Sequence, residues 1–335
     1  MTPFAYARAA DAGQAVAVAA AAPGTAFLAG GTELLNWMRL GIAAPARVRD
    51  ISRIPGMDAI EALPGGGIRL GALARLNDVA AHPAVARDYP VLAQAITKAA
   101  SAQLRNLATI GGNLMQRTRC AYFRAEEELP CNKRRPGSGC AAREGLNDRH
   151  AIFGWSESCV ATQPSDPAVA LAALDAVVVT ERAGAGGGRR IPAAEFHTLP
   201  DSDPTRDTVL EPGELITAIE LPAPAAPRSL YLKLRERESY EYATISVALA
   251  LGPDAAAGRI ASARIALGSV AHRPWRLRAA EAALAGAVPG DATALRAAVE
   301  VGFAEARPLA HNAYKVVLAR NAVLRALRLA VEMPA

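Results

Sequence analysis

The stretch TAFLAGGTELLNWMRLG, residues 25–41, decides how this chain is built. A short apolar run, Ala26 to Ala29, reads as a buried strand. The chain then turns at Gly30-Gly31 and continues from Glu33 into a helix that Gly41 closes. Upstream, a strand near Phe4 precedes an alanine-rich helix that starts at Asp11 and ends at Pro23-Gly24, and downstream ARVRDIS supplies the next strand. The result is a βαβ-type unit with a glycine turn where strand becomes helix. A helix N-terminus offers unpaired backbone N–H groups and the positive end of a dipole, so a phosphate is one expectation at this turn. Plain turn geometry is the other.

The turn has an echo. LRNLATIGGNLMQ, residues 104–116, repeats an apolar stretch, Gly111-Gly112, a small polar residue and a leucine, about 80 residues further on. Two such loops can close on the two phosphates of a dinucleotide, and the single-loop G-x-G-x-x-G pattern of nicotinamide-binding folds is absent.

Composition narrows the function classes. The chain has 335 residues, 51% of them hydrophobic and 21% charged, enough for a sizeable core in two or three units. Its net charge of +5 is spread along the chain and aromatics are only 5%, which argues against nucleic acid as a partner. No apolar run long enough to span a bilayer occurs, and MTPFAYARAADAGQ lacks a basic region followed by an apolar one, so neither a membrane span nor an export signal of its own is expected. The histidines His82, His150, His197, His272 and His311 are isolated, with no H-E-x-x-H and no nucleophile elbow. No catalytic side chain is assigned, and chemistry borrowed from a cofactor is the remaining expectation.

The four cysteines, Cys120, Cys131, Cys140 and Cys159, all fall in one charged segment at the spacing C-x10-C-x8-C-x18-C. Disulfides suit small secreted domains, and unrelated buried thiols would be scattered. Four gathered thiolates suit either a 4Fe-4S cluster or a structural zinc, and the spacing does not choose between them. Between Arg117 and His150 stand eight basic residues against five carboxylates. Cations there would favour the reduced form of a cluster. A solvated loop, or one docked on a partner, would carry the same charges.

After PAPAAPRS, which reads as a linker, come the strands SLYLKL, ATISVALAL and RIASARIALGSV. Helices from Trp275 and Asp291 follow, then NAYKVVLARNAVLRALRLAVE with apolar residues at helical spacing. This is the pattern of an α+β domain.

LAGGTELL, ATIGGNLMQ, ATQPSDPAVALAALDA and YLKLRERESYEYATISVALAL, in that order, resemble the FAD-binding medium subunit of the xanthine dehydrogenase and molybdenum hydroxylase family. The cysteine insert is similar to that of the periplasmic aldehyde oxidoreductases, whose medium subunit carries a 4Fe-4S cluster beside FAD. The resemblance implies an α+β fold. A two-part FAD-binding domain of the PCMH, vanillyl-alcohol-oxidase type would span 1–225, as subdomains 1–52 and 53–225 with the insert at about 116–160. An α+β C-terminal domain of the CO dehydrogenase flavoprotein type would span 226–335.

It implies the site residues as well. Phe27, Leu28, Ala29, Gly30, Gly31, Thr32 and Glu33 would hold the pyrophosphate, and Thr109, Gly112 and Asn113 would form the second phosphate loop. Asp166 would bond the cofactor's polar chain, Ile216 and Lys233 would lie near the flavin, and Cys120, Cys131, Cys140 and Cys159 would ligate the cluster. Several have local competitors: Asp166 as a helix cap, Glu33 as a carboxylate favoured by the dipole, Lys233 as an exposed strand lysine. Tyr240 and Tyr242 either cover the flavin or pack.

The function so implied is electron transfer in an aldehyde oxidoreductase, from 2Fe-2S clusters on a small subunit to FAD and an external acceptor. A large subunit with a molybdenum cofactor would complete a heterotrimer. Localisation would be periplasmic, by co-export with a signal-bearing partner, or else cytoplasmic. The rival readings are a stand-alone FAD reductase and a zinc-stapled interaction protein without flavin. Replacing one cysteine by serine is expected to remove the cluster and leave the glycine loops able to bind FAD.

Overall fold

A computed structural model describes every residue except 185–186, 202, 225, 227, 255–257 and 334–335. Its first unit is the βαβ pattern. Strands β1 (Ala5–Arg8), β2 (Thr25–Leu28) and β3 (Arg47–Asp50) are parallel in the order β1-β3-β2, and the helices Ala12–Ala21 and Leu34–Arg39 make the crossovers. Asp11 caps the first helix by accepting the Gln14 N–H at 2.7 Å. The central strand is β3, with Val48 and Asp50 buried. The edge strand β2 starts one residue earlier than the sequence implies and is half-buried throughout, because only one side of it is covered.

The second unit is an antiparallel sheet of β4 (Ile60–Ala62), β5 (Ile68–Gly71), β6 (Val177–Glu181), β7 (Arg190–Pro192) and β8 (Leu215–Leu221), in the order β4-β5-β8-β6-β7. Strand β8 pairs with both β5 and β6, so residues before and after the cysteine segment share one sheet. The helices Leu76–Ala81, Pro90–Thr97 and Asp166–Ala173 contribute to the same core.

The third unit is an antiparallel meander of β9 (Arg228–Leu234), β10 (Ile245–Asp254), β11 (Arg259–Gly268) and β12 (Trp275–Arg276). Alternation along these strands splits the interior in two. Ile245, Val247, Leu249 and Leu251 join the core of the helix Tyr314–Glu332, whereas Tyr231, Ala248 and Ala266 join that of Pro90–Thr97 and Asp166–Ala173. Trp275 does not open a helix as its sequence suggests. It pairs with Leu267 in the sheet and stacks on Phe153 at 5.1 Å, and the helix begins at Arg278. In the expected linker, residues 225 and 227 lie outside the described residues, and Arg228 and Ser229 already belong to β9.

The cysteine segment folds irregularly on this body. It holds two one-turn helices, Ala121–Arg124 and Ala141–Glu144, and isolated bridges pair Cys131 with Cys140 and Ser156 with Cys159. Pro130, Pro136 and the left-handed Gly137 and Gly139 exclude longer elements there. Among the described residues no helix is long and apolar enough to cross a membrane.

Candidate cofactor site

The two glycine loops meet. A cleft of about 690 Å³ is lined by Phe27, Ala29, Gly30, Gly31, Thr32 and Glu33 from the first loop and by Thr109, Gly112 and Asn113 from the second. Asp166, Ile216 and Lys233 line it too. Of the FAD residues named from the sequence only Leu28 is not in its wall: it lies in β2 opposite Asp50, behind the turn.

The loops resemble each other in sequence more than in structure. Gly30-Gly31 form a turn ahead of a helix, and Gly31 has φ +72°, where a side chain is strained. Gly111-Gly112 lie inside the short helix Ile110–Leu114, whose cap is Thr109, with its hydroxyl accepting the Gly112 N–H at 3.1 Å. Close approach explains the other glycines. A Cβ on Gly30 would collide with the Leu107 carbonyl, and one on Gly111 would lie 2.8 Å from the Ala72 Cβ. The first loop is therefore seated directly on the backbone that leads into the second.

The far wall comes from the helix Asp166–Ala173 and from β9. Ser165, not Asp166, caps that helix through the Ala168 N–H, which leaves the Asp166 carboxylate free for tertiary contacts. It accepts from Lys233 Nζ at 2.8 Å and from the Tyr231 hydroxyl at 2.6 Å. Tyr231 and Lys233 are two apart on one strand and so share a face. Lys233 is thus not an exposed strand lysine but half of a buried pair. Burial pushes the Asp166 carboxyl up, against the pull of Lys233.

Glu33 shows how the cleft handles charge. Its two oxygens accept from Arg119 and Arg124 at 2.8 Å each, and one also takes the Trp37 indole N–H at 2.8 Å. Glu214, also in the wall, is paired with Arg189 at 2.5 Å. With these carboxylates compensated, a ligand carrying two phosphates meets little uncompensated negative charge. Arg119, Trp37 and Glu214 carry no local motif, and the sequence does not single them out. Tyr240 and Tyr242 both line the mouth, Tyr240 the more exposed, and the Arg119 guanidinium lies over the Tyr242 ring at 5.0 Å.

A second site lies under the insert. Cys120, Cys131, Cys140 and Cys159 are all free thiols, and all line one cavity of about 10 Å³. The neighbouring Cys159 thiol draws Cys140 down to about 6, while Cys140 and burial push Cys159 up. Burial, helped by the neighbouring Cys131 and Cys140, pushes Cys120 up to about 11. Four such thiols ionise together only if a cation compensates them. Among the described residues no three His, Cys, Asp or Glu side chains are arranged around a single ion position. The cavity is about one water in size. The fit to a metal group therefore rests on the donor set, four soft sulfurs in one wall, and not on preformed coordination geometry.

Five of the insert's cations are paired with carboxylates of the body. Arg117 and Lys133 pair with Asp207 at 2.6 and 2.7 Å, Arg119 and Arg124 with Glu33, and Arg149 with Glu236 and Glu241. They fasten the segment to the body.

Two glycine loops converge with a buried acid–lysine pair on one cleft of a three-part α+β chain, and the family models give its class. Residues 2–224 match the FAD-binding domain in molybdopterin dehydrogenase, and residues 230–330 match the CO dehydrogenase flavoprotein C-terminal domain. The chain belongs to this family of FAD-binding oxidoreductase subunits. It is 46% identical over 327 residues, 98% of each chain, to the aldehyde oxidoreductase FAD-binding subunit PaoB of Escherichia coli K12. It is 26% identical to the glyceraldehyde dehydrogenase medium chain of Sulfolobus acidocaldarius, over 82% of this chain and 78% of that one. The solved carbon monoxide dehydrogenase from Hydrogenophaga pseudoflava superposes with a TM-score of 0.74 at 28% identity and 99% coverage of both chains.

Proposed function

We propose that this chain is the electron-transfer subunit of a molybdenum-dependent aldehyde oxidoreductase, holding FAD in the cleft between its glycine loops. The observation that carries the reading is the convergence of both loops with Asp166 and Lys233 on one cleft of about 690 Å³, within the usual size of a cofactor site. Similarity to a subunit named for aldehyde oxidation favours aldehydes as the substrate class. When bound, FAD supplies exchange of electrons between a partner and an external acceptor. This chain's own part is to bind and orient. The turn at Gly30–Thr32 presents backbone N–H groups to the phosphates, while the N–H groups of Ile110, Gly111 and Gly112 are taken by Ala74, Ala72 and the Thr109 hydroxyl, so the second loop shapes the cleft by close approach. Asp166, fixed by Lys233 and Tyr231, offers an acceptor to the ligand's hydroxyls, and Tyr240 and Tyr242 control access at the mouth.

The four thiols are assigned to a 4Fe-4S cluster. Support comes from their shared cavity and from their confinement to one insert that is pinned to the cofactor loop. The partners are a molybdenum-cofactor large subunit and a 2Fe-2S small subunit, and the location is the periplasm, reached by co-export with one of them.

The test uses the complex purified anaerobically. Its spectrum should show flavin, with about four irons per chain beyond those of the small subunit, and the isolated chain should not oxidise aldehydes. Aldehyde turnover by this polypeptide alone would overturn the subunit reading. A preparation with zinc and no iron in this chain would overturn the cluster assignment while leaving the FAD site standing.

A further inference from the structure

Two histidines outside the FAD cleft face the sulfurs. His150 Nε2 lies 3.2 Å from Cys120 Sγ, and His272 Nε2 lies 3.2 Å from Cys159 Sγ. Both rings are buried, and Nδ1 of each has no hydrogen-bond partner among the described residues. Among the described residues the sulfur is thus the one polar partner of each ring. A metal-bound sulfur carries no hydrogen and can only accept, so the attractive arrangement puts the ring's hydrogen on Nε2.

Each ring is held from behind by backbone. The His150 carbonyl accepts from Lys315 Nζ at 2.8 Å and from Asn312 Nδ2 at 3.1 Å, both on the C-terminal chain. His272 follows Val270 and Ala271, whose carbonyls take the N–H groups of Ile152, Phe153 and Gln163 at 2.8 to 3.0 Å. One ring therefore comes from the end of the insert and the other from the loop after β11. Their meeting with two of the four cysteines is a tertiary arrangement and not an accident of neighbouring sequence.

The insert's charges leave this role open. Lys133, among the described residues the one lysine or arginine in the cavity wall, is already committed to Asp207 and to the Pro204 carbonyl. Neutral N–H donors aimed at the sulfurs are what remains.

We propose that His150 and His272 are positioning residues that donate Nε2–H to the ligand sulfurs of Cys120 and Cys159 and thereby raise the reduction potential of the cluster. The inference rests on the 4Fe-4S assignment above. Reduction adds one electron, and with it one negative charge, to the cluster and makes or breaks no bond. The oxidised partner is the electron donor on the neighbouring subunit. A donor hydrogen bond stabilises the more negative state more strongly, so its loss lowers the potential.

The experiment is a potentiometric titration of the intact complex, followed by the electron paramagnetic resonance of the reduced cluster, with iron and flavin determined on each sample. His150→Leu and His272→Leu should each retain iron and flavin and shift the cluster's midpoint potential downward. His150→Gln and His272→Gln keep an N–H near the Nε2 position and should return it toward the wild-type value. In the unmutated complex, selective ¹⁵N-histidine labelling should reveal a weak nitrogen coupling to the reduced cluster, a result that stands even if a leucine variant folds poorly. Leucine variants with full iron at the wild-type potential, or no nitrogen coupling, overturn the inference. Wild-type complex without iron in this chain overturns the cluster reading itself, and metal analysis tells the two failures apart.

Discussion

Gly30 and Gly31 are adjacent and constrained for different reasons, which separates the effects of changing them. Gly31 is in a left-handed conformation at φ +72°, so any side chain there strains the turn. Gly30 has an ordinary conformation but no room, because a Cβ would run into the Leu107 carbonyl. Gly112 is the most tolerant of the three: a Cβ there meets only the Thr109 hydroxyl, at 2.9 Å. Displacing that hydroxyl forfeits a helix cap worth about 1 kcal/mol. Gly30→Ala should therefore push the loops apart and abolish flavin retention, whereas Gly112→Ala should keep a weakened site. Flavin absorbance per folded chain measures both, with circular dichroism as the check on folding. Equal, full flavin in the two variants would remove the argument from close approach. Asp166 teaches the same lesson about alternatives. Its position before PAVALAALDA fits a cap as well as a ligand contact, and the choice turns on Ser165 taking the cap and on Lys233, 67 positions away in sequence, taking the carboxylate.

Between elements, the feature of most consequence is the bridge from the cysteine insert to the helix Leu34–Arg39. Glu33 stands at the start of that helix, next to Thr32, and both of its oxygens are held by arginines that flank Cys120 and close the helix Ala121–Arg124. The sequence treats the insert and the glycine loops as separable, and on that view loss of a cysteine spares FAD. The geometry predicts otherwise. Removing Arg119 and Arg124 leaves a half-buried Glu33 carboxylate without its ion pairs beside the glycine turn, so Arg119→Ala with Arg124→Ala should weaken FAD binding by roughly tenfold, about 1.4 kcal/mol. Cys120→Ser should loosen the same arginines and lower FAD affinity in the same direction, a result to be read by flavin fluorescence titration alongside limited proteolysis of residues 116–160. FAD affinity at the wild-type level in both variants would show the insert to be independent of the cofactor loop. The βαβ unit, the meander and the last helix were legible in the sequence because each keeps its own hydrophobic period and its own turn residues. The five-stranded sheet was not. Its strands are short, β8 completes it only after more than 140 residues, and Arg119 reaches Glu33 through a segment without periodicity.

At the scale of the whole molecule, the helix Tyr314–Glu332 does more than cover the meander. Lys315, in its first turn, is fully buried, and its ammonium donates to the carbonyls of His150 and Ser269 at 2.8 and 2.6 Å and to that of Arg149 at 3.3 Å. A single cation thus joins the C-terminal helix, the loop after β11 and the end of the cysteine insert. In NAYKVVLARNAVLRAL the same lysine looks like an ordinary polar residue at the start of an amphipathic helix, since period alone does not reveal that three carbonyls from two other segments converge on it. Burial lowers the Lys315 ammonium from its usual 10.5 to about 7, against the pull of Asp148. The sign of the linkage follows. Above about pH 7 the folded chain has released this proton, while the unfolded chain keeps it until about pH 10, so the unfolded state binds more protons and stability rises with pH across that window. Below it both states are protonated, and the group contributes no slope. Lys315→Met removes the titration, so the stability of the wild type relative to the variant should be flat below pH 7 and grow between pH 7 and 10, by at most about 5 kcal/mol at ~1.4 kcal/mol per unit. Chemical denaturation of both proteins at stepped pH measures the difference. A gap that stays constant from pH 6 to pH 10 would mean that the three carbonyls hold Lys315 fully charged at every pH tested, and that the tie between insert and C-terminal helix is an ammonium bond throughout.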